Sequence, residues 1–297
     1  MSAPLARATN IRCVYGGGEK DFTAVDGVSL DLGEGEILGL AGESGCGKTT
    51  LGNALAMIAT PPLYVLSGTL EIDGETIDLS TLSVADLKRH RPYRGRVVSM
   101  LPQGAMNSIS PTLRIRSLVH DVMRAHDPRV TKDEALDLAR DRLKMLEMPV
   151  RVLDSYAHQL SGGMKQRMIT VISTLQNPRL LIADEPTSAL DVSSQRMLVE
   201  MLLAMVEQRI MSGVVFVTHD LPVLSQVSDK LAIMNAGRIV ETGPTRQIVE
   251  DPQHDYTRTL LSSVLDPSRE TRDRGRARAG VAPGPDAPTT EKEVEAR

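Results

Sequence analysis

Short apolar runs alternate with amphipathic stretches along most of the chain, a pattern typical of an α/β domain. Four of the runs are bounded by polar or turn residues and predict buried strands of a parallel sheet. They are Ile37–Ala41 and residues 97–101, 180–183 and 214–218. After the first run, residues 49–59 predict a helix that ends before Pro61.

Other parts of the chain depart from this alternation. Three apolar stretches, residues 10–14, 25–32 and 68–73, predict antiparallel edge strands. Helical periodicity over Ile115–His126 and residues 132–148 predicts a helical insert in the core. Beyond residue 265 the apolar periodicity is lost, and charged residues, Pro, Gly and Ala dominate. Residues 266–297 therefore predict a disordered tail.

Composition narrows the class of protein. With 297 residues, 41% of them hydrophobic, the chain can bury the core of one domain and a subdomain. The net charge of −4 and the aromatic content of 2% argue against a nucleic-acid partner. The two cysteines, Cys13 and Cys46, lack metal-ligand spacing and indicate a reducing compartment. Without a signal-peptide pattern or an apolar run of about 18 residues, the chain is expected to reach a membrane only by docking onto other chains.

A glycine-rich loop lies between the first predicted strand and the helix after it. It matches the pattern G-x-x-x-x-G-K-[ST], in which backbone N–H groups cradle phosphates at a helix N-terminus. The lysine supplies a point charge for the β- and γ-phosphates, and the next hydroxyl is a hard oxygen ligand for Mg²⁺. Kinases, GTPases and motors share such a loop. Its predicted binding residues are Gly42, Glu43, Ser44, Gly45, Cys46, Gly47, Lys48, Thr49 and Thr50.

Two carboxylates follow the predicted strand at residues 180–183. Parallel strands end at the ligand-binding edge of a sheet. Asp184 is therefore expected to join the Mg²⁺ coordination sphere, directly or through water, and Glu185 to act as the general base for the attacking water. Taken alone, two acids at a strand end belong to a solvated turn about as often as to a functional site. The phosphate loop upstream favours the functional interpretation.

A second glycine-containing helix start lies at residues 160–167, Leu-Ser-Gly-Gly-Met-Lys-Gln-Arg. Ser161 can cap the helix, and the N–H groups of Gly162 and Gly163 can face a phosphate. The segment resembles the signature sequence of ABC ATPases and precedes the acidic strand by one helix, as it does in that family. The resemblance covers residues 10–264. It implies an ATP-hydrolysing P-loop NTPase core with a mostly parallel sheet, an antiparallel β subdomain and an α-helical insert.

Further residues match this family's motifs in order. The resemblance implies that Gln103 is the Q-loop glutamine, which reaches Mg²⁺ or the attacking water. It also implies that Asp191 lies in the D-loop at a dimer interface and that His219 is the switch histidine at the γ-phosphate. An aromatic residue upstream of the phosphate loop is implied to stack on adenine. Tyr15 is the better candidate and Phe22 the alternative.

Two segments resemble the oligopeptide and dipeptide importers, of which some members take up oligosaccharides. They are the Q-loop segment at residues 103–111 and the C-terminal extension at residues 252–263. Some relatives hold a cysteine-ligated iron–sulfur cluster in the C-terminal region, and none is expected here because no cysteine follows Cys46. The resemblance implies an ATPase core at residues 1–106 and 160–250, with a helical subdomain at residues 107–159 between its two parts. An importer-type extension at residues 251–265 and the tail at residues 266–297 follow the core.

The resemblance also implies an assembly. Its members would be this chain, a homologous second ATPase subunit, two transmembrane permeases and an extracytoplasmic binding protein, with this chain at the cytoplasmic face of the inner membrane. Residues after Gln103, including Met106 and Asn107, would meet a permease. The alternatives are an exporter ATPase and a soluble ABC ATPase outside transport. A regulator with an inactive site is disfavoured because the candidate catalytic residues are intact.

Overall fold

The strands and helices are defined over residues 4–16, 21–82 and 90–265, which the computed structural model describes. The strands are β1 (Ala6–Tyr15), β2 (Phe22–Leu32), β3 (Ile37–Ala41), β4 (Leu63–Ile72), β5 (Glu75–Asp78), β6 (Val98–Leu101), β7 (Leu180–Asp184), β8 (Gly213–Val217), β9 (Lys230–Asn235) and β10 (Arg238–Pro244). The helices are α1 (Lys48–Leu55), α2 (Ile115–His126), α3 (Lys132–Met145), α4 (Gly162–Ser173), α5 (Val192–Glu207), α6 (Leu221–Val227), α7 (Thr245–Glu250) and α8 (Asp255–Leu265).

The four runs predicted as parallel strands lie side by side in one sheet. Over the described residues its strand order is β10-β9-β3-β8-β7-β6, and only the β9–β10 pair is antiparallel. Every position of β3, β7 and β8 is buried. Both faces of the sheet are therefore covered, which is the usual environment of continuous apolar strands. The predicted α/β class and the buried parallel strands are confirmed.

The antiparallel strands form a second sheet with the order β2-β1-β4-β5. The prediction of three edge strands is wrong for residues 10–14 and 68–73. These stretches lie in β1 and β4, and each of those strands pairs with a neighbour on both sides. Residues 25–32 lie in β2, at the end of the strand order. The sequence pattern shows that a strand has a polar face, but it does not show how many neighbours the strand has.

The parallel sheet separates two apolar clusters. Leu38 and Leu40 of β3 belong to the cluster that includes Leu51 of α1 and the buried face of the antiparallel sheet. Ile37 and Ala41 belong to the other cluster, to which helices α2–α6 contribute. Alternate side chains of a strand point to opposite faces, so one short strand stabilises both layers. This packing fixes the end of β3, where the phosphate loop begins.

The predicted helical insert contains α2 and α3. Thr131 and Glu134 form a capping box at the start of α3: the Thr131 hydroxyl accepts the Glu134 N–H at 3.3 Å, and the Glu134 carboxylate accepts the Thr131 N–H at 2.8 Å. Helix α3 ends at Met145 rather than at residue 148, because Glu147 adopts a positive φ of 53°. Helix α1 likewise ends at residue 55 rather than at 59, because Met57 has a φ of 57°.

The C-terminal part of the described chain packs against the domain core. Helix α8 lies within the predicted extension at 251–265, and its Leu261 is buried in the same cluster as Ile248 of α7. The predicted tail, residues 266–297, lies outside the described residues. Among the described helices, none combines the length and the apolar character needed to cross a membrane. The division into core, helical subdomain, extension and tail stays a prediction.

Candidate functional site

The phosphate loop joins β3 to α1 at the C-terminal edge of the parallel sheet. Two of its glycines are required by close approaches and by backbone conformation. Gly42 has a φ of 150°, and a Cβ there would lie 2.2 Å from the carbonyl oxygen of Met234. Gly47 has a φ of 107°, and a Cβ there would lie 2.2 Å from the carbonyl oxygen of Ala24. The loop is therefore pressed against β9 and β2, where any side chain larger than hydrogen would displace it.

Lys48 folds back over this loop and is only 7% exposed. Its ammonium donates to the carbonyl oxygens of Gly42 and Glu43, both at 2.8 Å, and lies 3.7 Å from the sulfur of Cys46. The loop thus holds a buried positive charge beside its own backbone. A phosphate bound in the loop would meet that charge together with the N-terminal end of α1.

Thr49 connects the loop to β7. Its hydroxyl donates to Oδ1 of Asp184 at 3.2 Å. Asp184 is 1% exposed, and its Oδ2 has no hydrogen-bond partner within the described part of the chain. Burial raises the pKa of Asp184 above its usual value, and the neighbouring Glu185 charge raises it further. The Thr49 hydrogen bond and the Lys48 charge act in the opposite direction. A buried carboxylate oxygen without a donor fits a cation, and the donor set of hydroxyl and carboxylate suits Mg²⁺.

Glu185 begins the turn after β7 and has a positive φ of 48°. The Thr218 hydroxyl donates to its Oε2 at 3.1 Å. The backbone N–H of His219 donates to Oε1 at 3.2 Å, and the His219 ring nitrogen Nδ1 lies 2.8 Å from the same oxygen. The Glu185 side chain is 10% exposed and that of His219 66%. The adjacent ends of β7 and β8 thus hold a carboxylate in place from three directions.

A cavity of about 340 Å³ lies against the phosphate loop. Both adenine-stacking candidates line it: the Tyr15 hydroxyl lies 3.0 Å from that of Thr50, and Phe22 is the cross-strand partner of Tyr15 and is 61% exposed. Tyr15 stays the preferred candidate and Phe22 the alternative. The other predicted residues that line the cavity are Ser44, Gly45, Gly47, Lys48, Thr49, Thr50, Gln103 and Glu185.

The signature residues and Asp191 are not among the residues that line this cavity. Ser161 caps α4, because its hydroxyl accepts the N–H of Met164 at 3.3 Å. Asp191 caps α5 in the same way, with its Oδ1 accepting the N–H of Ser194 at 2.9 Å. The two helix starts touch, since a Cβ on Gly163 would lie 2.5 Å from the Ser194 hydroxyl oxygen. Within one chain, the two glycine-rich helix starts therefore do not share a cavity.

Two residues that contact the predicted site were missed at the level of sequence. Thr218 directly precedes His219 at the end of β8, and a hydroxyl at such a strand end is a signal that could have been noticed. Tyr256 lies in α8, and its hydroxyl oxygen accepts the backbone N–H of Glu43 at 3.1 Å. Glu43 and Tyr256 are 213 positions apart, and no sequence pattern links residues at that separation.

Comparison with known proteins gives the family. The sheet, the phosphate loop and the acidic strand end define a nucleotide-binding P-loop ATPase. A family model described as ABC transporter matches residues 25–188, and one described as oligopeptide/dipeptide transporter, C-terminal region, matches residues 240–291. The chain belongs to the ABC transporter family and is an ATP hydrolase of that type.

Curated relatives and solved structures agree with this assignment. The dipeptide transport ATP-binding protein DppD of Caldanaerobacter subterraneus is 36% identical over 88% of this chain and 78% of the relative. The oligopeptide transport ATP-binding protein OppD of Bacillus subtilis is 37% identical over 84% of this chain and 68% of the relative. A dimeric ATP-binding cassette bound to ADP and phosphate is 26% identical, with a TM-score of 0.67, over 81% of this chain and 99% of that one. The protein cbiO1 from Clostridium perfringens, part of the ABC transporter complex cbiONQ, shares the fold with a TM-score of 0.68 at 19% identity, over 93% of this chain and 100% of that one.

Proposed function

We propose that this chain is the ATP-hydrolysing motor of an ABC importer that takes up dipeptides or oligopeptides. The observation that carries the importer assignment is the match of residues 240–291 to the C-terminal region of oligopeptide/dipeptide transporters. The relatives described above are named as ATP-binding proteins of dipeptide and oligopeptide transport, which supports the same substrate class.

ATP would bind with its phosphates in the loop at residues 42–50 and its adenine on Tyr15. Lys48 supplies the buried positive charge at the β- and γ-phosphates, and backbone N–H groups of the loop supply the remaining donors. Thr49, Asp184 and Gln103 would hold Mg²⁺, which neutralises phosphate charge when bound. The unpartnered Oδ2 of Asp184 supports this assignment.

Glu185 would act as the general base. Its carboxylate is held by the Thr218 hydroxyl and the His219 amide, so it is oriented before a water molecule arrives. It would accept the proton of the attacking water, and a positioned base of this kind accelerates such a step about 10²–10⁴-fold. The exposed imidazole of His219 would contact the γ-phosphate.

Each complete site would be shared between two ATPase subunits. Ser161, Gly162 and Gly163 of the facing subunit would close on the γ-phosphate, with Asp191 beside them at the interface. The similar solved cassette that is dimeric and bound to ADP and phosphate supports a shared site. ATP would then favour the closed dimer because it binds that state better, and hydrolysis would release it.

The assembly would contain a homologous second ATPase subunit, two membrane permeases and an extracytoplasmic binding protein. This chain would sit at the cytoplasmic face of the inner membrane, held there by the permeases. The segment at residues 103–111, which follows β6, would contact a permease and transmit the motion of the ATPase dimer.

Co-purification of the chain with its permeases, followed by ATPase assays in lipid discs, tests this function. We expect hydrolysis to rise when the binding protein and a dipeptide or oligopeptide mixture are added together, and not with either alone. Stimulation by oligosaccharides instead would overturn the substrate class. Stimulation without any binding protein would favour export, and a chain that hydrolyses ATP but associates with no permease would overturn the transport role.

A further inference from the structure

The C-terminal helix α8 reaches the phosphate loop through one side chain. The hydroxyl oxygen of Tyr256 accepts the backbone N–H of Glu43 at 3.1 Å. Tyr256 also packs against the apolar cluster that contains Ile37 and Ala41 of β3, and buried Leu261 of the same helix belongs to that cluster. Helix α8 contacts α6 as well, the helix that follows His219. One short helix therefore touches both the loop and the element behind the exposed imidazole.

The start of α8 is fixed by hydrogen bonds that do not involve the loop. The Glu241 carboxylate on β10 accepts the N–H groups of Gln253 at 2.7 Å and His254 at 3.1 Å. The His254 ring nitrogen Nδ1 in turn accepts the N–H of Tyr256 at 3.1 Å. The tyrosine backbone is thus tied to the parallel-sheet domain, so its hydroxyl is a fixed acceptor rather than one on a free segment.

The backbone N–H and carbonyl of Glu43 both form hydrogen bonds at the phosphate loop. Its carbonyl oxygen accepts the Lys48 ammonium at 2.8 Å and the N–H of Cys46 at 3.3 Å. Its N–H points the other way, to Tyr256. A rotation of the peptide that carries this N–H would move the adjoining Gly42 carbonyl, which also accepts the Lys48 ammonium.

We propose that Tyr256 is a positioning residue for the phosphate loop. Its hydroxyl holds the Glu43 N–H, which keeps the Gly42 and Glu43 carbonyls on the Lys48 ammonium. The C-terminal extension thereby sets the affinity of the site for ATP. This inference rests on the proposed role of the loop in binding ATP.

The chemistry of the hydroxyl suits this role. Burial raises the pKa of Tyr256 above its usual value, so the group stays neutral at physiological pH and remains an uncharged acceptor. Phenylalanine at this position would keep the packed ring and remove only the oxygen. The Glu43 N–H would then lose its acceptor without a cavity forming in the core.

The test compares full-length Tyr256→Phe with the wild type and with Ser262→Ala. Ser262 lies on the same helix, is exposed, and bonds only to the Thr259 carbonyl in the described contacts, so its substitution removes a hydroxyl without touching the loop. Three quantities are measured: amide hydrogen exchange of the loop without nucleotide, the ATP dissociation constant, and the thermal unfolding midpoint. For Tyr256→Phe we expect loop exchange to be about 2- to 10-fold faster and the ATP dissociation constant to rise about 2- to 10-fold, the range for loss of one neutral hydrogen bond.

The control variant should match the wild type in all three measurements, and the unfolding midpoint of Tyr256→Phe should fall by no more than about 4 °C, the cost of one hydrogen bond in a chain of this size. Unchanged loop exchange and unchanged ATP affinity in Tyr256→Phe would overturn the inference. A lower unfolding midpoint with unchanged ATP affinity would also overturn it, because the hydroxyl would then serve only the fold. Failure of the wild type to bind ATP would refute the proposed function itself, which separates the two outcomes.

Discussion

The ring nitrogen Nδ1 of His219 lies 2.8 Å from Oε1 of Glu185, although the two side chains differ sharply in exposure. Glu185 is 10% exposed and His219 66% exposed. The carboxylate is also held by Thr218 at its other oxygen, so it would stay in place if the imidazole turned toward a phosphate. The Glu185 carboxylate is therefore fixed in place, whereas the exposed His219 ring can turn away from it.

Glu185→Gln is expected to stop hydrolysis without stopping ATP binding. The amide keeps the shape and can still accept the Thr218 hydroxyl, but it cannot take a proton from water. We expect phosphate release to fall by about 10²–10⁴-fold and an ATP-bound dimer to accumulate. Phosphate-release assays and size-exclusion chromatography with ATP measure both effects. Glu200→Gln, on the exposed face of α5, is the matched control, and normal turnover by Glu185→Gln would refute the role of the base.

Much of the candidate site is predictable because its residues directly follow buried strands. Asp184 ends β7, His219 lies two residues after β8, and Lys48 lies seven residues after β3, at the end of the phosphate loop. Parallel strands end at one edge of the sheet, so these residues are expected to lie close together. The contacts between Glu185 and Thr218 were not predictable, because they depend on β7 lying beside β8. Tyr256 was less predictable still, since its contact with the loop depends on how the last helix packs. The paired positions of β1 and β4 were missed for a similar reason, because strand order is a property of the tertiary fold.

Asp184→Asn is expected to increase stability while it lowers activity. Burial raises the pKa of Asp184 and its Oδ2 lacks a partner among the described residues, so the ionised carboxylate destabilises the native state at neutral pH. With a chelator and no nucleotide at pH 7, we expect the unfolding midpoint to rise by about 2–4 °C, which corresponds to ~1 kcal/mol in a domain of this size. Magnesium-dependent hydrolysis should fall by about 100-fold, since the proposed Mg²⁺ ligand would lose its negative charge.

Differential scanning calorimetry and phosphate release measure the two effects of Asp184→Asn. Asp121→Asn, at an exposed position of α2, serves as the control and should change neither quantity. A lower unfolding midpoint for Asp184→Asn would show that the carboxylate stabilises the metal-free chain, contrary to this argument.

Alkylation of Cys46 is expected to block ATP binding. Cys46 lies inside the phosphate loop, 3.7 Å from the Lys48 ammonium, and an added group would occupy the space for phosphate. Burial raises the pKa of Cys13 to about 12, so the other cysteine stays a protonated, unreactive thiol. Intact mass spectrometry should show one modification, and hydrolysis should be lost in proportion to it. Cys46→Ala is the control, because its own activity should not change on treatment. Undiminished hydrolysis after stoichiometric modification would contradict the steric explanation.

Gly162→Ala and Gly163→Ala should fail in different ways, and the difference tests whether the site is split between subunits. A Cβ on Gly162 would have the sulfur of Met106 as its nearest neighbour, at 3.9 Å, so alanine fits within its own chain. A Cβ on Gly163 would lie 2.5 Å from the Ser194 hydroxyl oxygen and 2.9 Å from its Cβ, so alanine there must displace the start of α4 or α5. Gly162→Ala should therefore keep its unfolding midpoint, or raise it slightly through the better helix propensity of alanine.

The defect of Gly162→Ala should appear only when two subunits close on ATP, because the added methyl group would face the γ-phosphate bound by the other chain. We expect an unchanged ATP dissociation constant for the isolated chain, at least about 10-fold slower hydrolysis in the assembled complex, and loss of the ATP-bound dimer in a Glu185→Gln background. Gly163→Ala, in contrast, should lower the unfolding midpoint of the isolated chain before any partner is added. Wild-type turnover by Gly162→Ala would show that this helix start does not face a phosphate, and the composite site would have to be abandoned.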